Sequence, residues 1–186
     1  KLTVVVNHFK SKRPSGDPTG GNADMGPGIG AWNERRTEAA LDLLDWLASD
    51  PTESNDPDFL IIGDLNAYAQ ETPITAFTDN GYTNLIAQAD GDKAYSYVFD
   101  GQAGYLDHAL ASPTLVDQVT GTTEWHINTD EPKVIDYDSR FNPPGYYSPG
   151  PYRSSDHDPL LVGVALTAED ELSGGENTPT PTDEPT

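Results

Sequence analysis

The chain has 186 residues and a formal net charge of −21, from 31 acidic against 10 basic side chains; that is enough chain for one domain with its own core. It contains no cysteine, which excludes disulfides, thiolate metal sites and a cysteine nucleophile, and no apolar run nears the ~20 residues of a membrane span. The acidity argues against nonspecific nucleic-acid binding through a broad basic surface, and it is a charge balance used by halophiles. The few cations are clustered, however: Lys1, Lys10, Lys12, Arg13, Arg35 and Arg36 lie near the start, so a local basic patch is compatible with an acidic whole.

Residues 2–6 are apolar and β-branched and predict a buried strand, with His8 at its C-terminal end. Residues 13–31 are rich in Gly, Pro, Asp and Asn and read as a long loop, either functional or a flexible insertion. Over 33–48 the spacing of Thr37, Ala40, Leu41, Leu44, Leu47 and Ala48 predicts a helix with one apolar stripe. Asn33 is the expected N-cap. Arg35 and Arg36 in the first turn oppose the helix dipole, which fits either a ligand contact or a solvated face.

After a polar connection, residues 59–62 predict a second buried strand that runs through Gly63 into Asp64 and Asn66. Strand, helix and strand together predict a βαβ-like layering. Thr72-Pro73 opens a short helix through Phe77, closed by Asn80-Gly81. Strands are expected over 95–99, turned at Asp100-Gly101, over 105–110, and over 119–127, with a helical turn at 112–116. Asp107 and His108 are adjacent and so point to opposite faces. Residues 128–153 are irregular, and 160–166 form a last strand. The expected domain is 1–167. Residues 168–186, rich in Thr, Pro and acids, are expected to be a disordered tail, a linker or an O-glycosylated stalk.

Four polar sites fall near predicted strand ends: His8; Asp64 with Asn66; Asp107; and Asp156 with His157. Each has a plain structural reading, as a turn or a satisfied surface group. Together they supply two imidazoles, three carboxylates and an amide, which suits phosphoester hydrolysis. That reaction needs an activated water, stabilised phosphoryl oxygens and a protonated leaving oxygen.

His8, Gly63-Asp64-Leu65-Asn66-Ala67, Leu106-Asp107-His108 and Ser155-Asp156-His157-Asp158-Pro159, in that order, resemble the motifs of the endonuclease/exonuclease/phosphatase superfamily, which includes deoxyribonuclease I. More narrowly, the surroundings of His8, Asp107 and His157 resemble secreted bacterial and archaeal nucleases, over residues 1–166. The resemblance implies an α/β fold, a four-layer α/β sandwich of two packed mixed sheets. It implies His157 as the base that activates water, with Asp107 as its carboxylate partner. His8 would stabilise the phosphoryl group, Asp64 would orient the nucleophile, and Asn66 would hold phosphate or water. Asp156 and Asp64 would be ligands for Mg2+ or Mn2+, with Ca2+ a further candidate. Lys10, Lys12, Arg35 and Arg36 are the expected phosphate contacts of a nucleic-acid substrate.

The family pattern begins with a half that carries an Asn and the main metal-binding Glu, and the His8 motif belongs to its middle. The chain is therefore expected to be the C-terminal half of the domain, partnered by an N-terminal half on a separate or cleaved chain, and to act outside the cell. Two other functions fit the same residues: a phosphatase or phosphodiesterase on small molecules or lipid headgroups, and a non-catalytic surface or filament module that has kept the motifs.

Overall fold

The structure is a computed structural model that describes residues 1–26 and 28–166; the expected tail at 168–186 lies outside the described residues. The fold is mixed α/β, as the sequence predicts. Strand β1 (Thr3–His8) pairs in parallel with β2 (Phe59–Asp64), and helix α1 (Asn33–Ala48) makes the crossover between them. On its other side β2 pairs antiparallel with β6 (Asp107–Ala111), which also pairs with the two-residue β3 (Thr83–Asn84), giving the order β1-β2-β6-β3. Strands β4 (Tyr97–Phe99) and β5 (Gln102–Gly104) form a hairpin. Strands β7 (Val119–Glu124) and β8 (Leu160–Val164) pair across the long connection between them.

Alternation along the strands gives the main sheet two buried faces. On one, Ile61 and Leu110 pack with Ala40 and Leu47 of α1 and with Ile74 and Phe77 of α2 (Thr72–Asp79). On the other, Leu60, Ala109 and Ala111 pack with Val119, Leu160, Val162 and Val164 of the β7–β8 pair. The result is helices, sheet and second sheet in three layers. Val4 and Val6, on the outer strand of this second face, stay 48% and 75% exposed.

The stripe of α1 is rotated from the one the sequence predicts. Leu41 is exposed, and the inward residues are Arg36, Ala40, Leu43, Leu44 and Leu47, spaced 4, 3, 1 and 3 apart. A reading by hydrophobicity passes over Arg36 and so picks the neighbouring face. The cap differs too: Trp32 occupies the N-cap position with φ 66°, and no side chain of its own caps the helix. Asn22, from the preceding loop, instead accepts the Arg35 N–H at 2.8 Å. Helix α3 (Leu85–Asp90), capped by Asn84 through the Ala87 N–H, is not foreseen in the sequence. The strands expected at 95–99, 105–110 and 119–127 are offset or shorter, and the turn expected at 112–116 appears as a 3-10 turn at Val116–Gln118.

Candidate active site

Register assembles the site. His8 is the partner of Asp64 across β1–β2, and Asp64 is the partner of Asp107 across β2–β6. The three side chains therefore form a row on the face that β7–β8 partly covers. His8 Nε2 lies 3.4 Å from Asp64 Oδ2, and the imidazole is 76% exposed.

His157 joins this row from the segment before β8. It makes an isolated antiparallel bridge to Tyr97, and the Asp158 N–H donates to Ser96 O at 2.8 Å. His157 Nδ1 donates to Asp107 Oδ2 at 2.6 Å, and the Ser96 hydroxyl donates to the same oxygen at 2.6 Å. With Nδ1 committed, Nε2 carries the lone pair, which is the tautomer a general base needs. Burial alone would lower the His157 pKa, but the hydrogen bond to Asp107 and the charges of Asp107, Asp64 and Asp156 raise it on balance.

Asn66 follows β2 in the left-handed region at φ 49°. Its N–H donates to Asp64 Oδ1 at 2.8 Å, and its amide donates to Asp64 Oδ2 at 3.0 Å and to Phe9 O at 3.1 Å. Both amide hydrogens are thus engaged, so Asn66 orients Asp64, and its unshared group is Oδ1, an acceptor suited to a water. Burial pushes the Asp64 carboxyl up; the Asn66 N–H opposes that, and the nearby Asp107 charge adds to it.

Asp64, Asp107 and His157 each offer one ligand atom within 4.8 Å of the others. Two carboxylates this close, one of them held above its ordinary pKa partly by the other's charge, are a donor set that a hard divalent cation would relieve. The residues present fit such an ion, and Asp64 and Asp107 are the groups that would hold it. Asp156 acts on His157 through its charge but does not belong to this cluster among the described residues. Asp107 stands beside Asp64 in this cluster, and Asp156, the other ligand the sequence leads one to expect, reaches the same site through its charge on His157. In the turn at 154–157, Ser155 Oγ accepts the His157 N–H at 3.0 Å.

Two residues the sequence reading gave no role hold the site in shape. Asp158 is buried: Oδ1 accepts the N–H groups of Ile127, Asn128 and Thr129 at 3.1, 2.8 and 3.0 Å, and Oδ2 takes His126 Nδ1 and the Thr129 hydroxyl. Asn128 in turn donates to His157 O at 2.6 Å. The second Asp of the SDHDP motif is the sequence signal for this loop anchor. His108, on the face opposite Asp107, is fully buried; its Nε2 donates to Ala67 O at 2.8 Å and its Nδ1 faces Asn84 Nδ2 at 3.4 Å. It ties β6 to the turn that carries Asn66. Burial lowers its pKa to about 4.

That shift predicts a pH dependence. His108 is neutral when folded but protonates near 6.5 when the chain is unfolded. Stability is therefore complete above about pH 6.5 and is lost as pH falls toward 4, by roughly 3 kcal/mol from this group. Urea midpoints measured across that range should show the slope, and His108→Gln should flatten it.

The expected phosphate contacts divide. Lys10 is exposed, donates to Ser15 Oγ at 3.0 Å and lies over the Trp32 ring. Arg35 is exposed and stands 3.6 Å from Glu38. Lys12 is mostly buried against Glu71, with its ammonium over the Tyr68 ring. Arg36 cannot reach a substrate: its side chain is fully buried and donates to the carbonyls of Ala31, Ile29 and Lys10 at 2.7, 2.9 and 3.2 Å, with Glu71 3.7 Å away. It pins both ends of the 10–31 loop to α1. Arg36→Met is expected to cost about 3–5 kcal/mol in chemical denaturation, because it orphans three carbonyls and leaves Glu71 underpaired.

A cleft of about 470 Å³ opens beside the row, lined by Asp107, Trp125, Asn128, Ser154, Ser155 and His157 among others. A sequence profile of the Endonuclease/Exonuclease/phosphatase family matches residues 2–157. No curated protein matched the sequence. Among solved structures, an endonuclease/exonuclease/phosphatase family protein from Bacteroides thetaiotaomicron is 18% identical with a TM-score of 0.41, covering 50% of this chain and 35% of its own. A 3'-5' exonuclease from Neisseria meningitidis is 17% identical with a TM-score of 0.47, covering 78% and 58%. A mannosyl-6-phosphatase from Bacteroides thetaiotaomicron is 16% identical with a TM-score of 0.46, covering 77% and 48%. The chain thus spans between about a third and three-fifths of the length of these structures.

Proposed function

The chain belongs to the endonuclease/exonuclease/phosphatase family, and from that premise we propose that it carries the catalytic His–Asp side of a metal-dependent phosphodiesterase, a nuclease acting on DNA or RNA outside the cell. The observation that carries this reading is the 2.6 Å bond from His157 to Asp107, in register with Asp64 and His8.

The chemistry follows from the atoms present. His157 Nε2 takes a proton from the attacking water, and Asp107 favours the imidazolium that results. Asp64, held by Asn66 through two hydrogen bonds, orients that water. His8, exposed at the end of the row, donates to a phosphoryl oxygen or to the leaving oxygen. A divalent cation such as Mg2+ or Mn2+, held by Asp64 and Asp107, would supply Lewis-acid stabilisation of the phosphoryl charge when bound.

Two carboxylates are few for such an ion, and we propose that a further segment of the same domain, on a separate or cleaved chain, contributes a Glu. The outer edge of β1, unpaired among the described residues, the exposed Val4 and Val6, and the groove lined by Leu60, Ile62, Leu160 and Val162 offer it a place to pack. Native mass spectrometry of the isolated protein should show a bound second polypeptide; a lone 20.1 kDa species with full activity would remove the need for it. An extracellular site of action is supported by the Thr/Pro composition of 168–186, and the net charge of −21 suits work at high salt, where screening permits a polyanionic substrate to approach.

Cleavage of plasmid, single-stranded DNA and RNA by the isolated protein, with any bound second chain retained, tests the function. Cleavage in Mn2+ or Mg2+ that stops with EDTA is expected. Absence of cleavage in either ion, or cleavage indifferent to EDTA, would overturn the reading in favour of a non-catalytic module or a metal-free enzyme.

A further inference from the structure

The β4–β5 hairpin carries a surface that the steps above leave unused. Tyr97 and Phe99 are two apart on β4 and so share a face. Their rings are stacked with centroids 6.4 Å apart and planes 18° from parallel. The Tyr97 ring also lies against the His157 imidazole, centroid to centroid 4.6 Å. Gly104 is the partner of Tyr97 on β5, and a Cβ there would come within 2.9 Å of the Tyr68 ring. The glycine therefore makes room for a third ring on the same face.

Cations border these rings. Lys12 Nζ stands 4.9 Å from the Tyr68 centroid, held there by Glu71. The next residue, Arg13, is exposed, with no ion-pair partner among the described residues. Burial, Asp156 and Asp64 push the Tyr97 phenol up, and the charges of Arg13 and Arg153 oppose them.

A single exposed aromatic needs no explanation. Here Phe99 is 54% exposed, and it ends a row of rings that begins at the proposed base and has Lys12 over one of its members, in a protein of net charge −21. The exposed Phe99 ring at the end of the row offers a π-face and no hydrogen-bonding group, which suits a flat heterocycle better than a sugar hydroxyl array. Bases inside a duplex are already stacked on one another; only unpaired bases present a free face.

We propose that Tyr68, Tyr97 and Phe99 form a base-stacking subsite, with Arg13 as its phosphate contact, that takes an unpaired nucleotide next to the scissile phosphate and so directs the enzyme to single-stranded nucleic acid. The inference rests on the hydrolase reading only for where the scissile phosphate lies.

Fluorescence anisotropy in EDTA reads binding without turnover and so separates this inference from the reaction. The full chain should bind a labelled oligothymidylate about tenfold or more tightly than an abasic oligomer of equal length and charge, and more tightly than duplex of the same length. Phe99→Ala should collapse the base-to-abasic ratio toward one, while Trp46→Ala, exposed on α1, should preserve it. Equal affinity for the two oligomers, a preference for duplex, no binding at low salt, or an unchanged ratio in Phe99→Ala would each overturn the subsite. None of those outcomes bears on whether the protein cleaves plasmid in Mn2+.

Discussion

His157→Ala should lower phosphodiester cleavage by about a hundred- to ten-thousand-fold, the range seen when a positioned general base is removed. Asp107→Asn should fall in the same range. The two together should exceed either alone only by what Asp107 contributes as a ligand of the cation, because its other role runs through the tautomer and charge of His157. The pH profile separates this from a merely structural role. The base works when unprotonated, and its pKa is raised on balance by Asp107 and the neighbouring carboxylates, so activity should rise through a limb placed above that of an ordinary imidazole. Asp107→Asn removes the largest raising contributions and should move the residual limb to lower pH. A limb that does not move would mean that the 2.6 Å contact does not govern the base. Wild-type rates in His157→Ala would end its assignment as base.

Gly63→Ala is expected to be among the most damaging single changes for stability. Gly63 has φ 125°, a region that L side chains rarely adopt, and an added Cβ would overlap the Asn7 carbonyl oxygen on β1. That neighbour is backbone in a paired strand, so it cannot yield without opening the β1–β2 register. A loss of about 3–5 kcal/mol is expected by urea or thermal unfolding. The damage is local to the site as well: the next register pair is His8 with Asp64, so whatever folded protein remains should have lost their 3.4 Å approach. A variant with wild-type stability would show that this close approach is not a real constraint.

Local signals in the chain carried much of the fold. Strands β1 and β2 and helix α1 are long or strongly patterned, so their existence and type are decided within each segment, whereas which of their faces is covered is not: Val4, Val6 and Leu41 stay exposed. The βαβ layering then follows from chain order and handedness. Short elements such as α3 and β3 were not legible, because six residues or two hold too few pattern positions and exist through their neighbours.

By itself the sequence determined which chemistry was available: two imidazoles and three carboxylates at strand ends, no thiol, and an excess of negative charge. The tertiary structure alone decided how those groups are used. It turned Arg36 from a surface cation into a buried clamp, because three backbone carbonyls and Glu71 surround it. It brought Asp107 and His157 together with Asp64, gave Asp158 a loop to hold, and lined Tyr97 and Phe99 up with His157. The physical reason is that an element's type can be read from one segment's periodicity, whereas which face is buried and the state of a charge or an aromatic face depend on partners brought from elsewhere in the chain.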